Sequence, residues 1–421
     1  MQAQSGITDS PSKRFWEIVA TNIGDPNIYK GAFAVMVAVA VYIFANNNEI
    51  RMGTYWLLGL GAGFVLQRTR LCFASGFRDI FLLGHGRNLK GILVGLMVAT
   101  IGFSFLMARQ VPNTALGTYP ATAHTMPLGW HTVFGATLFG FGMVLAGGCV
   151  TGSIYRMGEG YIGSWVSFAG ILLGLFVASF TWNWWYEFTI KDSPRVWLPH
   201  TFGHGGALFL TLAALVILYF LVIWWETRRG GIAPAQPAQL LPDTTFSNKV
   251  QNIFRQVFVN GWHVLLGGGI FGVVNILTFV STRPLGVTGE LSRWSLSLGN
   301  ALGLTPGELL GTSSMAGCVL DTGDGTFLTF LLFLVVGIFY GSFIGALFAG
   351  EFKIRIPKQK SRLVQSGIGG ILMGYGAGTA VGCTIGAFFS SIPSLSFTGW
   401  AWAFFALIGA WIGTQAIQRL P

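Results

Sequence analysis

The sequence predicts an all-α protein that crosses a membrane many times, built as two pseudo-symmetric repeats that each carry short re-entrant helices. Three observations lead there. Of its 421 residues, 52% are hydrophobic and only 10% are Asp, Glu, Lys or Arg, whereas soluble domains carry roughly 25% charged residues. Glycine occurs 60 times, roughly twice its usual ~7% share, and glycine lets membrane helices approach closely. Finally, long apolar runs recur from end to end. This composition excludes an ordinary cytosolic enzyme, and it excludes a disordered or coiled-coil chain, which would need far more charge.

Taken in order, the polar segment 1–29 holds Lys13, Arg14 and Asp25 and does not read as a cleavable signal. Apolar runs follow at 31–46, 53–67 (weaker), 91–107, 131–146, 161–181, 205–225, 261–280, 326–349, 364–379 and 398–416. A full span needs about 20 residues, so the shorter runs predict partial spans or helices that dip in and return. The formal charge of +10 sits mostly in short loops. That is the positive-inside signal and not a nucleic-acid footprint. It assigns Arg87 to Lys90, Arg228 to Arg255 and Lys353 to Arg362 to the cytoplasm, and 109–130 and 182–204 to the outside. A polar linker at 227–254, with Pro234, Pro237 and Pro242, cannot bury a core and separates a first repeat (30–226) from a second (255–421).

The repeat is legible in two motifs that recur in the same order. Thr69-Arg70-Leu71-Cys72, followed by Gly76, matches Thr282-Arg283-Pro284-Leu285, followed by Gly289. Gly148-Cys149-Val150-Thr151-Gly152 matches Gly382-Cys383-Thr384-Ile385-Gly386. Duplicated halves with Gly-interrupted segments at equivalent positions point to a binding site at the repeat interface. Irregular backbone at membrane depth is tolerated only where it is buried or lines a cavity. A helix that restarts there turns free N–H groups toward an anion.

Cys149 and Cys383 are therefore candidate pathway thiols, with Gly148, Gly152, Gly382 and Gly386 around them; the bland alternative is small apolar filler at helix crossings. Cys72, between Arg70 and Arg78, is either a pore-mouth thiol beside anion-attracting arginines or part of an interfacial loop. Arg156 with Glu159, and Glu290 with Arg293, are opposite charges three residues apart, read as anion attraction or as structural pairs. Cys318 lies in an insertion peculiar to the second half and is the weakest candidate. The six histidines show no metal spacing; no phosphate loop or dinucleotide motif is present, and no cofactor is expected.

The stretches RTRLCFASGFRD, AGGCVTGSIYRMGEG, RPLGVTGELSRW and VGCTIGAFFSSIP resemble the motifs of the YeeE/YedE family of sulfur-compound transporters, from about residue 30 to 417. The resemblance implies an hourglass of transmembrane helices in a bacterial inner membrane and uptake of thiosulfate, with help from a small cytoplasmic sulfur carrier of the TusA type. It also implies that Cys72, Cys149 and Cys383 contact the ion in succession. Longer relatives are linked to selenium metabolism, so a selenium-compound carrier is the alternative substrate class. A membrane thiol oxidoreductase working with a quinone is the third reading, disfavoured because no C-x-x-C pair is present. Thiols that pass a dianion onward are expected to be protonated, because a thiolate would repel it.

Overall fold

The computed structural model describes residues 26–228, 255–312, 315, 320 and 328–419. The segment 1–25, most of the linker (229–254) and Cys318 lie outside the described residues. Within them the chain is helical throughout its long elements. The first half contains α1 (Pro26–Asn48), α2 (Ile50–Thr69), α3 (Phe73–Leu82), α4 (Arg87–Gln110), α5 (Trp130–Ala146), α6 (Val150–Gly158), α7 (Ile162–Trp185) and α8 (Pro199–Arg228). The second contains α9 (Val264–Ser281), α10 (Thr288–Ala301), α11 (Phe330–Phe348), α12 (Lys360–Thr379), a π-helical segment (Thr384–Ser390) and α13 (Phe397–Arg419).

Each apolar run of the sequence has become a helix. Among the described residues, eight helical stretches are long and apolar enough to cross a membrane, and α12 with the π-helical segment, bent by 49°, is a broken span or a re-entrant loop. The weaker run at 53–67 forms α2, which is not among the eight. Phe33 (64% exposed), Phe105 (72%) and Phe209 (75%) show large apolar groups on the outer faces of α1, α4 and α8. Such surfaces need lipid around them. The chain is a multi-pass membrane protein.

The order long–short–long–long–short–long runs α2 to α7 in the first half and α9 to α13 in the second. The packing has the same symmetry. The most extensive helix pairs are α7 with α12, α2 with α11, α5 with α12, α5 with α13, and α4 with α9. Every one joins a helix of one half to a helix of the other. Exchanging the halves maps α2–α11 onto α9–α4 and α5–α13 onto α12–α7, and it maps α5–α12 onto itself. The helices of the two halves therefore pack against one another, with α5 against α12.

Close approach at these crossings uses glycine. A Cβ on Gly268 of α9 would lie 1.9 Å from the Gly91 carbonyl oxygen of α4, and one on Gly63 of α2 would lie 2.0 Å from that of Ile338 on α11. Those are symmetry-related crossings with backbone against backbone, where dispersion contacts replace the hydrophobic drive that lipid removes.

Candidate functional site

The positions of the sulfurs follow from the packing of α5 against α12. Cys149 follows directly on α5 and Cys383 on α12, the two helices that pair with each other. Both are buried, at 1% and 0% exposed, as is Cys72 at 2%, and all three carry free thiols. A Cβ added to Gly152 would sit 3.3 Å from Cys149 Sγ and 3.9 Å from Cys72 Sγ. Cys149 also interacts with the Thr384 side chain and, electrostatically, with Cys72 and Cys383. The structure thus brings together three cysteines that are distant in sequence.

A common backbone device presents each thiol. Two residues before each cysteine the chain takes a left-handed conformation: Arg70 (φ 52°), Gly147 (φ 74°) and Val381 (φ 54°). Two residues on, the cysteine itself has extended backbone and starts a short helical segment, with φ −131° at Cys72, −79° at Cys149 and −97° at Cys383. The preceding helix stops at or one residue before the left-handed position, and the thiol stands beside the first-turn N–H groups of the next segment. The Gly152 N–H already donates to Cys149 Sγ at 3.3 Å. Only one of the three left-handed residues is glycine, so the device is invisible in the sequence at Arg70 and Val381.

A left-handed, β-branched, fully buried Val381 is strained by ~1–2 kcal/mol. Glycine relieves that strain, and alanine does so only in part. A Val381→Gly protein should therefore melt above Val381→Ala in a thermal scan, reversing the usual order at buried positions; the usual order would refute the strain.

Arg156 knits the module together: Nη1 donates to the Gly147 carbonyl at 2.5 Å and Nη2 to Cys72 Sγ at 3.8 Å. It makes no ion pair with Glu159 within 4.0 Å among the described residues. Glu159, 9% exposed, is influenced by Arg156 across a longer gap; burial pushes its carboxyl pKa up, and Arg156 opposes the rise. Arg70 pairs with Glu351 at 2.9 Å and Arg78 with its neighbour Asp79 at 2.8 Å, so carboxylates hold both arginines that flank Cys72. Glu290, 1% exposed, accepts from Trp294 Nε1 at 2.7 Å and Thr329 Oγ1 at 2.8 Å, joining α10 to the start of α11. Arg293 lies half-buried on α10. Gly148, Gly382 and Gly386 are buried beside the cysteines.

Sequence reasoning passed over Glu351. It binds Arg68 at 3.0 Å as well as Arg70, and Arg68, with its side chain 2% exposed, also donates to the Phe258 and Val259 carbonyls. The doubled arginine in Arg68-Thr69-Arg70 was its only local signal, and the partner lies 281 residues from Arg70. Among the described residues, no group of three His, Cys, Asp or Glu side chains is placed to hold a metal ion.

Many membrane-spanning helices, some of them broken beside buried thiols, are the architecture of a membrane transport protein. The chain belongs to the sulphur-transport family, whose model matches residues 68–412. It is 30% identical to the thiosulfate transporter TsuA of Escherichia coli K12 over 368 residues, covering 87% of this chain and 94% of that protein. It is also 30% identical to the thiosulfate transporter TsuA of Spirochaeta thermophila over 371 residues, 84% of this chain and 96% of that one. A probable transporter YedE of Salmonella typhimurium is 35% identical over 193 residues, 45% of each chain.

Proposed function

We propose that this protein brings thiosulfate, or a closely related sulfur oxyanion, into the bacterial cell across the inner membrane, along a narrow path on which Cys72, Cys149 and Cys383 touch the ion. The observation that carries the reading is the meeting of the Cys149 and Cys72 sulfurs at Gly152, within 3.3 and 3.9 Å of the place its Cβ would take. The names borne by the two full-length relatives support it.

The chemistry is consistent. Thiosulfate is a dianion with one soft terminal sulfur. A ring of free arginines would hold it too tightly, and passage needs sites strong enough to admit the ion and weak enough to release it. Neutral thiols are weak donors. Here carboxylates occupy Arg70 and Arg78, and Arg156 offers one partly buried guanidinium next to Cys72. The side-chain-free positions Gly148, Gly152, Gly382 and Gly386 leave bare backbone along the way. A small TusA-like sulfur carrier at the cytoplasmic mouth completes the proposal as the acceptor.

The test is uptake of labelled thiosulfate into cells or membrane vesicles, with a parallel selenite arm. Cys149→Ala and Cys383→Ala are each expected to cut uptake at least about tenfold, the loss of roughly one hydrogen bond to a charged group, without any change in thiol redox state. Wild-type rates in both variants would overturn the cysteine path. Quinone reduction by the protein would favour the oxidoreductase instead.

A further inference from the structure

Inside the long helices, Thr69, Thr100, Thr278 and Thr379 each return their hydroxyl to a carbonyl about one turn back, those of Val65, Leu96, Asn275 and Tyr375. A threonine in the first turn of a helix has no such carbonyl behind it. Each of the two Gly-Cys boxes carries one threonine in that position: Thr151, the second residue of α6, and Thr384, the first of the π-helical segment. They are 1% and 0% exposed. Neither hydroxyl has a hydrogen-bond partner among the described residues. Ten buried side-chain nitrogen and oxygen atoms share that condition, and these two are the ones inside the boxes. A buried hydroxyl left without a partner is costly, so a partner from outside the chain is the natural explanation.

The surroundings say what that partner is. Thr384 lies against the Cys149 thiol. Thr151 precedes Gly152, whose Cβ, were it present, would lie 3.3 Å from Cys149 Sγ and 3.9 Å from Cys72 Sγ. Both hydroxyls thus accompany the sulfurs, one per repeat. Hydroxyls are hard donors suited to charged oxygens, and thiols are soft contacts suited to sulfur. We propose that Thr151 and Thr384 donate to the oxygen atoms of the passing anion while the cysteine thiols meet its terminal sulfur, so that the pair of boxes selects an ion with one soft and one oxygen-bearing end. The inference rests on the transport reading above and names the residues that set its selectivity.

Valine has nearly the shape of threonine without the hydroxyl, which separates the two roles a hydroxyl can have. Thr151→Val and Thr384→Val, made in the full chain, are expected to keep or raise the melting temperature in detergent, because an unmet polar group is removed. In vesicles the same variants should lose uptake of labelled thiosulfate about tenfold or more, the worth of a hydrogen bond to a charged acceptor. Hydrosulfide, a soft anion with no oxygens, should compete as well in the variants as in the wild type. Thr→Ser at either position should restore most of the uptake. Wild-type rates in both valine variants would overturn the inference, as would a lowered melting temperature that serine restores together with uptake. If wild-type vesicles take up no thiosulfate, the transport reading fails and this inference with it; an active wild type with unaffected valine variants sinks the inference alone.

Discussion

A Gly152→Val protein is expected to fold and to lose thiosulfate uptake by about ten- to a hundredfold. Gly152 lies within α6, in an ordinary helical conformation that valine also adopts, so the backbone does not resist the change. The added Cβ would stand 3.3 Å from Cys149 Sγ and 3.9 Å from Cys72 Sγ, and the two methyl groups would crowd the sulfurs further. Overpacking of this kind costs ~1–3 kcal/mol, which acts on the barrier to passage and gives the stated range. Gly152→Ala, with only the Cβ, should lose less. Initial rates in vesicles, set against the amount of folded protein, measure this. A valine variant with wild-type rates would place the path somewhere other than beside Cys149 and Cys72.

The larger effect on stability is expected from Gly268→Val. Its Cβ would fall 1.9 Å from the Gly91 carbonyl oxygen, and backbone cannot give way as a flexible side chain can. Helices α4 and α9 would have to part along the whole crossing, where Gly95 and Gly272 are equally close: a Cβ on Gly95 would lie 2.5 Å from the Gly268 oxygen, and one on Gly272 2.5 Å from that of Gly95. The cost is at the upper end of overpacking, ~3 kcal/mol or more. The folded yield should collapse and the remaining protein should melt well below wild type. The exchange of halves supplies a control, because α2–α11 is the counterpart of α4–α9. Gly63→Val, against the Ile338 oxygen at 2.0 Å, should then do similar damage. A mild effect at one and a severe effect at the other would mean that the two crossings do not bear equal weight.

Much of this was legible in the sequence because membrane insertion writes itself in composition. The ten apolar runs correspond to the ten longest helices, with ends that moved by a few residues where polar or glycine-rich segments cap them. The two Gly-Cys boxes announced broken helices at equivalent places, and the helices do break there. The details of the breaks did not show. Val381 takes a left-handed conformation that its side chain disfavours, and nothing local signals it, because tertiary packing imposes it. The seven residues Thr384–Ser390 form a π-helix, yet the matching box in the first half continues as α6, an α-helix. Arg156 and Glu159, neighbours on paper, make no close ion pair: Arg156 donates to the Gly147 carbonyl and Cys72 Sγ, the backbone carbonyl of Glu159 accepts from Arg355 at 3.1 Å, and the two charges act on each other only across a longer gap.

By itself, then, the sequence determined that the chain lives in a membrane, and it set the expectation of two repeats with Cys149 and Cys383 at matching places. Hydropathy and repetition are properties of segments, and segments are what a sequence displays. Only the tertiary structure decided that the helices of the two halves pack against one another, that Cys72 joins the other two sulfurs although its counterpart in the second half is Leu285, and that Glu351 binds Arg68 and Arg70 from far along the chain. Those are contacts between residues hundreds of positions apart, chosen by which glycine-lined backbones can approach one another, and no local pattern encodes that choice.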